Sequence, residues 1–267
     1  MNNITKRLLN AVAPFIGRFH RWMPLVKIEK YTAFLQGKGS GSGWDAGETR
    51  ALARVINNYN SDSIIFDVGA NNGEWAVKLS DQIKGEAVFY LFECSPYVLP
   101  HLSKRTPYIK NPIVVESAVS SEDGTVPLHT PAIGSGLASV HARRDAGIVQ
   151  HEYITLDVPA TTIDSIVAKY EIEYISLLKM DIEGHELSAL KGASESLSRG
   201  IIQSISYEFG SANINSETYF HDFWDLLTGA DYSIFRIGLG GILIQVKKYT
   251  EDLEYFRGAT NYIAMKN

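Results

Sequence analysis

The sequence has almost no cysteine and no long apolar run, and each absence excludes a class of protein. Cys94 is the single cysteine among 267 residues, which excludes an intramolecular disulfide and a zinc site built from several cysteines. No stretch of about 18 consecutive apolar residues occurs, so we expect no transmembrane helix. Hydrophobic residues make up 45% of the chain and charged residues 21%, which is typical of a folded soluble domain.

Basic residues are scarce outside the N-terminus. Residues 1–30 contain six lysines and arginines against one glutamate, a net charge of +5, whereas the whole chain carries −5. The rest of the chain therefore carries −10. Because nucleic-acid binding needs a basic face that neutralises phosphates, we expect no nucleic-acid partner.

The first 43 residues have the pattern of a separate arm. Apolar residues recur every three or four positions between Leu8 and Met23, which predicts a basic amphipathic helix, and Gly39–Gly43 reads as a flexible linker. Polar residues and a proline interrupt the helix too often for a secretory signal. We predict a cytoplasmic protein with an arm over 1–43 and one domain over 44–267. The arm either contacts an anionic inner membrane face or a partner, or docks on its own domain.

The remaining chain alternates short apolar runs with amphipathic segments. We predict strands over 63–68, 87–92, 113–119, 126–129, 154–158, 174–180, 201–209, 232–237 and 262–265. We predict helices over 45–58, 74–82, 97–104, 162–170, 186–197 and 218–227. This alternation predicts a doubly wound, Rossmann-like α/β sheet that is mostly parallel, with ligands beyond the carboxyl ends of its strands.

The loop after the first strand carries the strongest signal. Asp67–Gly73 reads Asp-Val-Gly-Ala-Asn-Asn-Gly, which has neither the dinucleotide nor the nucleoside triphosphate glycine spacing. An acid before the first glycine repels pyrophosphate and attracts a sulfonium or ammonium group. Glu93 ends the second strand, where a carboxylate accepts both ribose hydroxyls. Together these residues predict a pocket for S-adenosylmethionine.

Four stretches carry a family resemblance. Asp67–Gly73 resembles motif I of class I S-adenosylmethionine-dependent methyltransferases, and Phe92–Pro96, Thr162–Asp164 and Leu178–Glu186 are similar to the FkbM family. The resemblance covers about residues 62–265. It implies a methyltransferase sheet with an antiparallel strand near the C-terminus. It also implies O-methylation of a hydroxyl, most often of a sugar in polysaccharide biosynthesis.

The resemblance also assigns cofactor-binding residues. They are Asp67, Gly69, Asn71, Gly73 and Glu93, and we add Ala70 and Ser117 as further candidates. Cys94 follows the glutamate where the family often has proline, which we expect to alter the loop slightly without abolishing binding.

Methyl transfer to a hydroxyl also needs an in-line nucleophile and a base or metal. Asp181 ends the fourth strand of the predicted parallel core and Glu208 lies near the end of the fifth, so both face one cleft if these strands are neighbours. Two carboxylates and water could hold Mg²⁺. His185 could act as a base near neutral pH. Lys179, the remaining catalytic candidate, could pair with a neighbouring acid and shape the site.

Two groups of polar residues have a structural alternative. Glu183 and Glu186 begin a helix, where the dipole favours acids without any role in chemistry. The long loop over 131–153 is either a grip on a hydroxyl-rich or anionic acceptor or a solvated excursion. Its candidate contacts are Ser135, Ser139, His141, Arg143, Arg144 and His151.

We therefore predict an O-methyltransferase of a sugar hydroxyl, with three alternatives open. A glycosyltransferase would use Asp181-Ile182-Glu183 as an acidic metal motif but leaves the glycine loop unexplained. An N-methyltransferase would need an Asn/Asp-Pro-Pro-aromatic sequence after the fourth strand, which is absent. A non-enzymatic scaffold with this fold would use the N-terminal helix for docking and bind cofactor weakly or not at all.

Overall fold

The computed structural model describes residue 12 and residues 23–39, 47–59, 62–143 and 153–267. The predicted amphipathic helix before Met23, the linker after Gly39, and the loop residues Arg144 and His151 lie outside the described residues.

The strands of the described residues occur throughout the chain beyond residue 62. In chain order they are β1 (Ser63–Val68), β2 (Ala87–Phe92), β3 (Pro112–Val115), β4 (Ala118–Val119), β5 (Gly124–Thr130), β6 (Ile154–Thr161), β7 (Leu177–Met180), β8 (Ser204–Phe209), β9 (Tyr232–Ile237), β10 (Leu243–Gln245) and β11 (Thr260–Lys266).

Eight of these strands form the central sheet, in the order β10-β9-β11-β8-β7-β1-β2-β3. Strands β3, β2, β1, β7 and β8 pair in parallel, whereas β11 is antiparallel to both β8 and β9. This topology confirms the predicted doubly wound sheet with an antiparallel strand near the C-terminus. The order places β1 between β2 and β7, so the loops that follow these three strands meet at one sheet edge.

A second, three-stranded sheet has the order β4-β6-β5. The single strand predicted over 113–119 is wrong, because it divides into β3 and β4, which belong to different sheets. The Ser117 N–H donates to the Val115 carbonyl at 2.9 Å, and this tight turn ends the pairing with β2. The division carries Ser117 to the sheet edge at which the main-sheet loops meet.

The helices of the described residues flank the central sheet. They are α1 (Met23–Leu35), α2 (Glu48–Ile56), α3 (Glu74–Ser80), α4 (Leu99–Ser103), α5 (Ile163–Lys169), α6 (Glu186–Lys191), α7 (Ser194–Ser198), α8 (Ala212–Asn215) and α9 (Phe220–Gly229). Short 3-10 helices cover Thr106–Tyr108, Leu239–Gly241 and Glu251–Leu253. Among the described residues, no helix combines the length and apolarity that crossing a membrane requires.

The helix predicted over 186–197 is interrupted and forms α6 and α7. A Cβ at Gly192 would lie 2.1 Å from the Ser120 carbonyl oxygen, so the loop after β4 passes against this point. The Asp164 carboxylate then accepts from the N–H groups of Glu195 and Ser196, both at 2.9 Å, and caps α7. The contact with the second sheet therefore determines where α6 ends.

Each face of the central sheet has its own apolar cluster. Ile65 packs with α2 and α3 on one face, and its neighbour Phe66 packs with α5, α6 and α9 on the other. Strand β7 is buried along its whole length. An interior parallel strand covered on both faces needs a continuous apolar run, and this is the pattern that predicted β1 and β7.

Helix α1 belongs to the predicted arm and packs on the body. The Lys38 ammonium, just beyond the helix, donates to the Asp252 carboxylate at 2.7 Å. The Gly39 N–H donates to the Thr260 hydroxyl at 2.8 Å. The described part of the arm, residues 23–39, therefore docks on its own domain. The domain boundary at residue 43 stays a prediction.

Candidate functional site

The loops at the carboxyl ends of β1, β2 and β7 enclose a cavity of about 790 Å³, including the part open to solvent. Residues predicted from the sequence line it on the polar side: Gly69, Asn71, Glu93, Ser117, Ser135, Ser139, Asp181 and His185. The apolar side was not predicted: Val68, Phe92, Val98, Ala118, Val119, Leu128, Val140 and Ile182. The cavity lies where a doubly wound sheet binds its ligands.

The glycine loop after β1 is shaped by a close backbone approach. Gly69 has φ +77°, and a Cβ there would lie 2.1 Å from the Asp181 carbonyl oxygen. The N–H groups of Gly69 and Ala70 both donate to the Phe92 carbonyl, at 3.1 and 2.9 Å. Ala70 and Gly73 lie outside the cavity lining, and the Gly73 N–H donates to the Ala70 carbonyl within the loop, so their cofactor contact stays a prediction.

Glu93 joins the glycine loop to the loop after β2. One carboxylate oxygen accepts from the Asn71 N–H at 2.9 Å, and the other accepts from the Ser95 N–H at 2.7 Å. Burial raises the pKa of Glu93, and these backbone hydrogen bonds oppose the shift. Glu93 lines the cavity, so its carboxylate can accept hydrogen bonds from a ligand there, and the contact with two ribose hydroxyls stays a prediction.

The predicted position of the Asp67 carboxylate is wrong. Asp67 was expected to face the pocket, but it is fully buried, and the Lys179 ammonium donates to it at 2.8 Å. The parallel register of β1 with β7 places these two residues side by side. The negative charge that was to attract a sulfonium group is already compensated by a lysine.

Lys179 therefore has a structural position. Its ammonium also donates to the Gly69 carbonyl at 3.1 Å and lies 5.1 Å from the centre of the Trp75 ring. Burial alone would lower the pKa of Lys179, but Asp67 and Asp181 raise it above its ordinary value. The expectation that Lys179 pairs with an acid is met. Lys179 lies outside the cavity lining, so its predicted catalytic role has no geometric support.

Glu48, the first residue of α2, was not predicted from the sequence as a site residue. Its pKa is raised to about 7: burial is the largest cause, Lys179 opposes it, and the charges of Asp181 and Asp67 act in the same direction as burial. The helix containing Glu48 precedes β1 in the chain, so only the fold brings its first turn to this sheet edge. No local motif marks such a residue.

Asp181 is exposed and lines the cavity. Its N–H donates to the Val68 carbonyl at 3.1 Å, which extends the β7–β1 pairing by one residue and fixes its backbone beside Gly69. A carboxylate held on a sheet strand at the cavity wall is well placed to meet a bound acceptor. Its predicted catalytic role stays a prediction.

Glu208 meets the prediction in part, because it lies on the strand beside Asp181 but not in the cavity lining. Strands β7 and β8 are parallel neighbours, as the prediction required, with Met180 opposite Tyr207. Burial raises the pKa of Glu208 well above its ordinary value, and the negative charges of Asp181 and Glu183 raise it further. Glu208 lies near Asp181 but outside the cavity lining.

The two carboxylates do not gain a third metal ligand. Among the residues that the structure describes, no group of three histidine, cysteine, aspartate or glutamate side chains is arranged to hold a metal ion. The predicted Mg²⁺ site at Asp181 and Glu208 would rest on two protein carboxylates and water, and it stays a prediction.

The turn between β7 and α6 is held by its own acids. One Glu186 carboxylate oxygen accepts from the Ile182 and Gly184 N–H groups, at 2.9 and 3.3 Å. Glu183 forms an ion pair with Arg143, and its carbonyl accepts from the Ser139 hydroxyl at 2.8 Å. These contacts give both glutamates a specific role in building the turn, beyond a favourable place near a helix start.

The prediction that His185 is a base near neutral pH is wrong. Its Nε2 lies 3.0 Å from the Ser120 hydroxyl, and its Nδ1 lies 3.1 Å from Nε2 of His141. Burial in the first place, and then His141, lowers the pKa of His185 to about 4. With both ring nitrogens hydrogen-bonded and the ring neutral, His185 positions the cavity wall.

The loop after β5 reaches over the cavity. Ser135, Gly136 and Ser139 line it, and a Cβ at Gly136 would lie 2.9 Å from the Asn71 side-chain nitrogen. Of the two interpretations of this loop, the geometry favours contact with a bound ligand for its described residues.

Comparison with known proteins gives the family and two relatives. A sequence profile of the methyltransferase FkbM domain matches residues 67–234. Hexuronic acid methyltransferase AglP of Haloferax volcanii is 23% identical over 152 residues, which are 57% of this chain and 58% of AglP. The 2-O-methyltransferase NoeI of Sinorhizobium fredii is 23% identical over 148 residues, which are 52% of this chain and 60% of NoeI. Each match thus spans less than two thirds of the relative.

Among solved structures, precorrin-6y C5,15-methyltransferase from Geobacter metallireducens is similar with a TM-score of 0.44 and 10% identity. The match covers 81% of this chain and 88% of that one. The profile match contains the glycine loop, Glu93, Ser117, Asp181 and Glu208.

Proposed function

Because this chain belongs to the FkbM methyltransferase family, as its motifs indicated, we propose that it is an S-adenosylmethionine-dependent O-methyltransferase. The observation that carries the proposal is the cavity at the carboxyl ends of the parallel strands. It brings Gly69, Glu93 and Asp181 into one lining, each from a different strand end of the matched region.

The residues fit S-adenosylmethionine. Glu93 would accept the ribose hydroxyls, Gly69 and Asn71 would allow close backbone approach, and Phe92 and Val98 would pack on the adenine. When bound, the cofactor supplies a methyl group on a positively charged sulfur, which is a good leaving group.

Asp181 is the base in this proposal. The Asp181 carboxylate would accept the proton that the acceptor hydroxyl loses on methylation. Asp181 is exposed to the cavity, whereas the neutral His185 ring has both nitrogens engaged. The proton then leaves Asp181 to solvent, since the cavity is open.

A sugar hydroxyl is the acceptor class that we propose. The relatives are named for methylation of a hexuronic acid and for 2-O-methylation. Ser139 donates its hydroxyl proton to the Glu183 carbonyl, so its oxygen can accept a hydrogen bond from a sugar hydroxyl in the cavity. We also propose a cytoplasmic protein whose residues 1–30 contact the inner membrane face.

Isothermal titration and a transfer assay test the function. We expect micromolar binding of S-adenosylmethionine and of its demethylated product, without Mg²⁺. We also expect transfer of labelled methyl to a uronic-acid saccharide. The same saccharide with its hydroxyls blocked is the control, since it must accept no label.

The alternatives give different results in the same titration. Tight Mg²⁺-dependent binding of UDP-sugars, with no binding of S-adenosylmethionine, would overturn the proposal in favour of a glycosyltransferase. No binding of either ligand would overturn it in favour of a non-enzymatic scaffold.

A further inference from the structure

Helix α1 contacts the body with one face only. Ala33 is 8% exposed, and the Gln36 carbonyl just beyond the helix accepts from Arg236 at 3.1 Å. Glu29 on the same side forms an ion pair with Arg257. These contacts fix how the helix is rotated about its axis.

The other face of α1 is apolar and exposed. Leu25, Ile28, Tyr31 and Leu35 are between 41% and 62% exposed. At about 100° per residue these four side chains lie within an arc of about 120°, on the side away from Ala33. We call this set the α1 stripe. Exposed apolar residues in one contiguous stripe indicate a surface that another body covers.

The charge around the stripe indicates which kind of surface covers it. Glu29 is the single acidic residue between residues 23 and 39, and it is turned toward Arg257 on the body. Lys27 is exposed beside the stripe, and Lys30 is exposed on the opposite side of the helix. Residues 1–22 add four lysines and arginines and no acid. A second copy of this chain, or residues 1–22 folded back, would bring positive charges together, whereas an anionic lipid surface would compensate them.

A second apolar group lies where α1 leads into the body. Ile242 and Ile244 are 64% and 39% exposed at the sheet edge. A Cβ at Gly37 would lie 3.0 Å from the Gly238 Cα, and one at Gly238 would lie 3.0 Å from the Ile244 side chain. These backbone contacts place Ile244 close to the chain just beyond α1.

We propose that the α1 stripe binds an anionic phospholipid surface, with α1 lying in the plane of the interface. The apolar side chains enter the boundary between headgroups and acyl chains, and Lys27 contacts lipid phosphates. Tyr31 suits this boundary because its ring is apolar and its hydroxyl is polar. The proposal is independent of the methyl-transfer reaction.

Vesicle sedimentation of the full chain tests the proposal. We expect binding to phosphatidylcholine vesicles that contain about one third phosphatidylglycerol, little binding to pure phosphatidylcholine, and weaker binding in about 0.5 M NaCl. Ile28→Glu and Tyr31→Glu should each weaken the affinity by about tenfold or more. Lys27→Gln should weaken it about fivefold, and Lys30→Gln, on the opposite side of the helix, should weaken it less.

Tyr108→Glu is the matched control. Tyr108 is 69% exposed, like Tyr31, but precedes β3 at the opposite edge of the central sheet. This variant should bind vesicles as the wild type does. Thermal melting shows whether each variant is folded. Titration with the demethylated cofactor reports separately on the proposed function, so the failure of one proposal does not imply the failure of the other.

Four results would overturn the proposal. The first is that the wild type does not bind the anionic vesicles. The second is that Ile28→Glu and Tyr31→Glu bind as well as the wild type, which would mean that another segment binds lipid. The third is that the wild type forms a dimer that Tyr31→Glu separates, without vesicle binding, which would make the stripe an interface between copies. The fourth is that the stripe variants melt at a lower temperature than the wild type, without vesicle binding, which would mean that residues 1–22 cover the stripe.

Discussion

The two sides of the cavity compensate their acidic residues differently. On the cofactor side, the ends of β1 and β2, Asp67 is paired with Lys179, and Glu93 accepts two backbone N–H groups. On the acceptor side, the ends of β7 and β8, Glu48 and Glu208 lie among other carboxylates. The cofactor side therefore pairs these acids with a lysine and with backbone N–H groups, whereas on the acceptor side burial and the charge of Asp181 raise the pKa of both Glu48 and Glu208.

This difference indicates which side of the cavity can exchange protons. Lys179 has a raised pKa and stays protonated beside Asp67. On the acceptor side, burial raises the pKa of both Glu48 and Glu186 to about 7. We infer that the cofactor side is built for a fixed geometry, whereas the acceptor side can take up and release protons near neutral pH.

Removing the exposed acid of the acceptor side should have the largest effect. We expect Asp181→Asn to lower kcat by about 10²–10⁴-fold, since the amide cannot take the hydroxyl proton. The affinity for the demethylated cofactor should stay within about threefold, because no contact of the glycine loop uses the Asp181 carboxylate. Labelled methyl transfer and titration check both values, with the exposed Asp157→Asn as control. Full activity would remove Asp181 from the mechanism.

Breaking the buried pair tests the fixed charge on the cofactor side. We expect Lys179→Met to lower the free energy of unfolding by about 3–5 kcal/mol, because Asp67 is left buried and uncompensated. Urea unfolding measures the change, and adding Asp67→Asn should restore part of it. Arg199→Met, which breaks an exposed pair with Glu195, should cost less than about 1 kcal/mol. Equal losses in the two single variants would refute the special role of the buried pair.

Two glycines with the same backbone conformation separate strain from contact. Gly85 has φ +76°, and a Cβ there would meet no atom within 4 Å. We therefore expect Gly85→Ala to lower the free energy of unfolding by about 1–2 kcal/mol and to leave the cofactor affinity unchanged. Gly69 has φ +77°, and a Cβ there would also collide with the Asp181 carbonyl oxygen. Gly69→Ala should therefore lower the affinity for the demethylated cofactor about a hundredfold. Calorimetric titration of both variants with the demethylated cofactor measures the two affinities. Similar affinities would mean that the two sides do not meet at Gly69.

The carboxylate that joins the two cofactor loops gives a smaller effect. We expect Glu93→Gln to weaken binding of S-adenosylmethionine about tenfold, because the amide nitrogen cannot accept from one of the two N–H groups. Glu93→Ala should weaken it further. Unchanged calorimetric affinity would overturn the ribose assignment, and the exposed Glu116→Gln serves as the control.

The smallest effect concerns pH dependence on the acceptor side. Because the folded-state pKa of Glu186 is raised to about 7, its contribution to stability is full at low pH and is lost as pH rises through about 7. Relative to Glu186→Gln, the wild type should lose on the order of 2 kcal/mol between about pH 5 and 8. Urea unfolding across this range measures the difference, with the exposed Glu195→Gln as control. Parallel curves for wild type and Glu186→Gln would contradict it.

The cofactor side was easier to predict because its signal is local. Asp67–Gly73 is one continuous loop, and Glu93 follows one strand later, so alternation and spacing were enough to place both. The partner of Asp67 was not predictable in this way. Lys179 reaches it through the β1–β7 pairing, which joins residues 112 positions apart.

The acceptor side depends on segments that carry no motif. Glu48 comes from the helix before β1, and His141 comes from the loop after β5, where it occupies the ring nitrogen that would have made His185 a base. The break between β3 and β4 is set by a backbone turn within an apolar run, so periodicity alone predicted one strand. Contacts between distant segments decided each of these differences.

The position of β11 has a consequence for biosynthesis. Within the described residues, β9 and β10 are hydrogen-bonded to the central sheet through β11 alone. During translation, the parallel strands from β1 to β8 can assemble while β9 and β10 have no edge to join. We expect the cavity walls to form first on the ribosome, and the β9–β10 hairpin to remain undocked until Thr260–Lys266 emerges from the exit tunnel and inserts beside β8.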